Sequence, residues 1–174
     1  MPNTFSQIYI QLVFAVKGRQ NHISKNHKDE LHKFITGIVK NRNQKLISIN
    51  SMPDHFHLLV SIDPDIKISD LVRDIKSGSS KFINDNKWFP GKFNWQEGYG
   101  AFSYSKSQVH KVVQYILNQD IHHQTKSFKE EYIDFLNKFD IEYNEKYLFV
   151  WIEKFAPNGA LKIILLIQLL IVSS

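Results

Sequence analysis

The 174-residue sequence contains no cysteine. Disulfides, zinc–thiolate sites and cysteine nucleophiles are thereby excluded, and a metal can be held only by histidine, carboxylate, amide or water. Also lacking is an apolar run long enough to cross a bilayer. The stretch Leu161 to Val172 is interrupted by Lys162 and Gln168. It spans about a dozen residues, where a spanning helix needs about twenty. The N-terminal apolar run Ile8 to Val16 has no basic residue before it and no small-residue cleavage site after it. It is a poor leader and a better first strand. A soluble, cytoplasmic chain without membrane contact is therefore expected. There is no internal repeat, low-complexity segment or linker before about residue 154, so residues 1–153 are expected to form one domain. Residues 154–174 make an apolar tail of separate status.

What is present is an ordinary globular composition, with 43% hydrophobic residues, 13 Phe and 7 Tyr to build an aromatic core. The net charge of +5 favours polyanionic partners without establishing one. Ile8, Ile10, Leu12, Phe14 and Val16 alternate as on a strand. Leu31, Phe34, Ile35, Ile38 and Val39 recur at helical spacing, predicting a helix over about Asn26–Asn43. Lys45–Met52 forms a second strand, and the Pro53-Asp54 turn leads into a third as a hairpin. Ser69 is placed to cap a second helix running to about Asn86. Ala101–Tyr104 resembles a fourth strand, Ser107 caps a third helix through about His123, and Ser127 caps a fourth through about Phe139. The first six elements read βαββαβ. That order predicts an α+β fold, a ferredoxin-like antiparallel sheet with helices packed on it, followed by two C-terminal helices. The first and third strands should be central.

The third strand carries the sharpest feature, His55-Phe56-His57 within Met52-Pro-Asp-His-Phe-His-Leu-Leu-Val60. Residues two apart on a strand face the same way. The two imidazoles should therefore stand side by side with Leu59, while Phe56, Leu58 and Val60 point into the opposite layer. Two aligned imidazoles are half of a metal site. The alternative is a chance pair in a chain with eight histidines, and spacing alone leaves both open.

On the third helix Val109, Val112, Val113, Ile116 and Leu117 form an apolar arc, and Gln108, Lys111, Tyr115, Gln119 and His122 gather opposite. Tyr115 and Gln119 are four apart and so neighbours one turn away. A surface tyrosine with its ring half covered is the plainer interpretation. Joined to the histidines, the helix acquires a chemistry. A divalent metal on two imidazoles and an amide oxygen would neutralise a phosphodiester that otherwise repels a nucleophile, and the phenol would attack in line.

These residues resemble a family. His55-Phe-His57 followed by Tyr115-x-x-x-Gln119 is similar to the single-tyrosine HUH transposases of small bacterial insertion sequences, including the REP-associated tyrosine transposases. The resemblance runs from about residue 7 to Trp151. It includes Trp95-Gln-Glu-Gly-Tyr-Gly-Ala-Phe-Ser103 and Tyr115-Ile-Leu-Asn-Gln-Asp-Ile-His-His123. It implies a metal-dependent enzyme, with magnesium or manganese, that nicks and joins single-stranded DNA bearing hairpin ends through a 5′-phosphotyrosine. It implies Tyr115 as nucleophile and His55, His57 and Gln119 as metal ligands. It also implies a homodimer in which, in several members, the tyrosine helix of one subunit completes the other's site. After Trp151 the match fades, and Phe155–Ser174 is not a usual end for this family.

Lys17, Arg19, Arg73, Lys76, Lys81 and Lys106 are the residues expected to contact DNA phosphates. Trp88 and Trp95 can stack on bases or pack in the core. Two other functions stay open: a non-catalytic nucleic-acid binder derived from a transposase, and a metal phosphoesterase using water. The second is disfavoured because Asp54 is the only carboxylate near the histidines in sequence.

Overall fold

Alternation along the first strand gives it two apolar faces, and both are covered. The structure, a computed structural model, describes residues 5–19, 22–144 and 148. Strands β1 (Ile8–Ala15), β2 (Lys45–Met52), β3 (His55–Ile62) and β4 (Gly100–Tyr104) form one sheet in the order β2-β3-β1-β4. Every pairing is antiparallel, with Leu12 opposite Leu58 and Ala15 opposite His55. The first and third strands are central, as the βαββαβ order requires.

On one face Ile10, Leu12, Phe14, Phe56, Leu58 and Val60 pack against α1 (Lys25–Asn41) and α2 (Ile68–Asp85). Gly78 lets those helices approach closely, since a Cβ there would lie 2.8 Å from Ile38 Cδ1. The other face, with Tyr9, Val13, Leu59 and Phe102, is covered by α3 (Val109–Leu117) and α5 (Phe128–Lys138). The histidine strand thus divides its side chains as its period dictates, Phe56 to one layer and His55 and His57 to the other.

Three helix boundaries differ from expectation. Helix α2 begins at Ile68, with Lys67 rather than Ser69 at the cap position. The third helix is preceded by a 3-10 turn, Lys106–Gln108, closed by a capping box between Ser105 and Gln108. It then breaks at Asn118, and α4 (Gln119–His122) follows. The break has a cause on the neighbouring strand. Asn50 donates to the carbonyls of Ile116 and Leu117 at 2.8 and 3.2 Å, taking up oxygens that would otherwise continue the helix. Ser127 caps α5 as expected, accepting from Glu130 N–H. The tail 154–174 lies outside the described residues. No helix among the described residues is long and apolar enough to cross a membrane.

His32 ties α1 to β2 through Ser51 Oγ at 2.9 Å and lies edge-on to Phe56. Burial, assisted by Lys28, lowers its pKa to about 4 from 6.5. The unfolded chain therefore takes up a proton near 6.5 and the folded chain only near 4, so stability falls as pH drops through that window. A loss of about 2 kcal/mol is expected from this residue, discounted for its partial exposure. Urea midpoints at pH 7 and pH near 4 check it. His32→Gln should reduce the difference between the two, leaving the share that buried His55 contributes over the same window.

Candidate metal and tyrosine site

The site forms where the middle of the sheet meets α3, α4 and α5. His55 and His57 are fully buried on β3. His55 Nδ1 donates to Asp54 Oδ1 at 2.6 Å, and its ring stacks on Phe128 with centroids 4.1 Å apart. Burial lowers its pKa to about 4, so the ring is neutral at pH 7. His57 Nδ1 lies 3.1 Å from the amide of Gln11, which also accepts from Tyr104 at 3.0 Å. Helix α3 of the same chain brings Tyr115 alongside, its ring centroid 6.1 Å from that of His57. The break at Asn118 leaves Gln119 wholly buried beside it.

These side chains meet at a residue that local sequence did not suggest. Glu131 on α5 is only 2% exposed, with one carboxylate oxygen toward the tyrosine and one toward the histidines. Its Oε1 accepts from the Tyr115 hydroxyl and, at 3.0 Å, from Gln119 Nε2. Its Oε2 lies 3.3 Å from His57 Nε2, 3.3 Å from His123 Nε2 and 3.8 Å from His55 Nε2. Asp54 is therefore not the only carboxylate at the histidines; the second arrives by tertiary folding. Burial alone would raise the Glu131 carboxyl, but the surrounding imidazoles outweigh it and hold the group ionised. Burial and the Glu131 charge push the Tyr115 phenol far above its usual range.

Three buried atoms here have no hydrogen-bond partner among the described residues: His57 Nε2, Gln119 Oε1 and Glu131 Oε2. Buried polar groups are nearly always paired. Two of these atoms, His57 Nε2 and Glu131 Oε2, belong to a group that suits a cation: the donor atoms of His55, His57, His123 and Glu131 all lie within 4.8 Å of one another. This group could hold a divalent metal.

With that geometry, similarity to known proteins becomes decisive. Residues 4–119 match the family described as transposase, IS200-like. The chain belongs to that family. Over 120 residues it is 26% identical to the ISDra2 transposase TnpA of Deinococcus radiodurans, covering 65% of this chain and 84% of that protein. A crystal structure of a candidate transposase from Deinococcus radiodurans R1 superposes with a TM-score of 0.56 at 25% identity, covering 68% of this chain and 95% of that one. A REP-associated tyrosine transposase bound to a REP hairpin shares the fold, with a TM-score of 0.55 at 14% identity over 71% of this chain and 73% of that one. The activity of IS200-like transposases is DNA transposition.

The basic residues expected at DNA are scattered. Lys17 and Lys106 are exposed, Lys106 lying 5.6 Å over the Tyr9 ring. Arg19 closes the turn Lys17–Arg19. Arg73 is paired with Asp70 at 2.7 Å and Lys81 with Asp85 at 2.5 Å. Lys76 donates to the carbonyls of Gln96 and Gly98, strapping that loop to α2. Lys111, Lys126 and Lys138 border a cavity of about 360 Å³ that opens beside Tyr115, with Lys126 paired to Asp134 on its rim.

Proposed function

We propose that this IS200-like transposase nicks and rejoins single-stranded DNA through Tyr115, using a divalent metal, magnesium or manganese, held by His55, His57 and Gln119. The observation that carries this is the convergence of Tyr115, Gln119 and both histidines on Glu131. A bound dication would neutralise a non-bridging phosphate oxygen and polarise phosphorus. The Tyr115 oxygen attacks that phosphorus, the bond to the 3′ oxygen breaks, and a 5′-phosphotyrosine forms. The phenol proton passes along its hydrogen bond to Glu131 Oε1. The departing 3′ oxygen takes up a proton delivered from that carboxyl through solvent to become the free hydroxyl. A 3′ hydroxyl attacking the phosphotyrosine reverses these bonds and joins strands.

The substrate is single-stranded DNA with hairpin ends, a proposal supported by the REP hairpin bound to the REP-associated neighbour. Lysines 111, 126 and 138 beside Tyr115 suit its phosphates, with Lys17, Arg19, Arg73, Lys76, Lys81 and Lys106 as more distant contacts. We also propose a homodimer, packing on exposed Leu117 and Ile121 near the site, and action in the cytoplasm.

Incubation with a labelled hairpin-bearing oligonucleotide and magnesium or manganese should give a protein–DNA adduct that survives denaturing electrophoresis and is lost with chelator. Binding that is insensitive to chelator and yields no adduct would favour the non-catalytic nucleic-acid binder. Cleavage without an adduct would favour water as nucleophile.

A further inference from the structure

Hydrogen positions around the histidines are constrained by their outer partners. His55 Nδ1 faces the carboxylate of Asp54 at 2.6 Å, and His123 Nδ1 faces the carbonyl of Lys126 at 2.9 Å. Both partners only accept, so each Nδ1 carries a hydrogen, and each Nε2 presents a lone pair whenever its ring is neutral. Those two nitrogens are 3.1 Å apart, and Glu131 Oε2 lies 3.8 Å from one and 3.3 Å from the other. A proton on His123 Nε2 would let the two nitrogens hydrogen-bond and pair with Glu131. With both rings neutral, two lone pairs and a carboxylate oxygen share a space that a dication would fill in place of that proton. Metal-bound histidines characteristically donate their second ring N–H to a carboxylate or backbone carbonyl, as both do here. His57 can join them. Turning the Gln11 amide lets its oxygen accept from His57 Nδ1 while its NH₂ donates to Tyr104, freeing His57 Nε2.

We propose that His123 and Glu131 are metal ligands alongside His55 and His57, forming a three-imidazole, one-carboxylate centre that prefers a transition-metal dication to magnesium. This rests on the proposal above that the site is metal-dependent, and it alters the donor set assigned there. A site rich in imidazole binds cobalt more tightly than manganese, and magnesium keeps to oxygen ligands and water. Glu131 then bridges functions, one oxygen on the metal and the other holding Tyr115 and Gln119. The ligands reach the site from β3, from the segment after α4 and from α5, so metal binding should also fasten α5 to the sheet.

Full-length protein stripped with chelator is titrated with Co²⁺, followed by its visible d–d absorption, and with Mn²⁺ and Mg²⁺ by calorimetry. One Co²⁺ per chain is expected, with Mn²⁺ bound at least about ten-fold tighter than Mg²⁺. His123→Ala and Glu131→Gln should each weaken Co²⁺ binding at least about ten-fold and change the absorption bands. They should also reduce the rise in melting temperature that Co²⁺ gives the parent protein at a fixed Co²⁺ concentration. Should Glu131→Gln fail to fold, His123→Ala, at a half-buried position, carries the test. If both variants bind Co²⁺ with parental affinity and spectrum while His55→Ala does not, this proposal is overturned and the ligand set of His55, His57 and Gln119 stands. If the parent protein binds none of the three ions, both fail.

Discussion

Tyr115→Phe should abolish the covalent protein–DNA adduct and all strand joining, a loss of at least about 10⁴-fold, because removing a nucleophile leaves no alternative atom to attack. Only one oxygen is deleted. The ring keeps its edge contact with Phe135, centroids 5.7 Å apart, and its place beside His57. Glu131 Oε1 retains the hydrogen bond from Gln119 at 3.0 Å, so the carboxylate is not left bare on that side. The expected cost to stability is about 1 to 2 kcal/mol, the usual range for one hydrogen bond to a charged group. Labelled oligonucleotide on a denaturing gel reads the adduct, and urea unfolding reads stability. An adduct of undiminished yield in the Phe variant would remove Tyr115 from the mechanism and direct attention to other tyrosines. A variant that loses both adduct and fold would contradict the retained ring contacts.

How much of this site was legible depends on whether its parts are set by local period or by tertiary folding. The pairing of His55 with His57 on a central strand follows from alternation and from the βαββαβ order, and the structure has both. Tyr115 and Gln119 were expected one turn apart on a continuous helix. They are instead separated by the break at Asn118, which Asn50 induces from a strand more than sixty residues earlier. No local pattern reports such a contact. Glu131 and His123 went unassigned because the β3 histidines they meet are more than sixty residues away in sequence. A signal was present nonetheless. Phe128, Tyr132, Phe135 and Leu136 make the buried stripe of α5, and Glu131 falls inside it. A carboxylate in an apolar stripe must find a cation or hydrogen bonds when buried. Gln11 gives the same signal on β1, a fully buried amide in an otherwise apolar strand. The basic residues were least legible, since a lysine's sequence position says little about whether its charge faces solvent, an aspartate or a carbonyl.

Trp95 is the residue whose two interpretations the structure separates most sharply, and its replacement should unfold the chain more readily than any change in the site. It is only 8% exposed. Its ring meets Phe14, Phe93 and Phe56 edge-on at 5.0, 4.8 and 5.5 Å, and its Nε1–H donates to Ser79 Oγ at 2.9 Å. A base could stack on it only by displacing that aromatic cluster. Trp95→Ala should therefore cost about 4 kcal/mol, the range for emptying a large aromatic site in a core that relaxes only partly. Ser79 keeps its bond to the Ile75 carbonyl at 2.5 Å, so the penalty comes from the cavity rather than an orphaned hydroxyl. Trp95→Phe should recover more than half of the loss, since most of the edge contacts survive. Urea midpoints measure both. Binding to single-stranded DNA, corrected for the folded fraction, should change less than two-fold, about 0.4 kcal/mol. A stacked base would instead lose about 1 to 3 kcal/mol of affinity on alanine substitution. A Trp95→Ala protein of parental stability but weakened DNA binding would move this side chain from the core to the nucleic-acid surface.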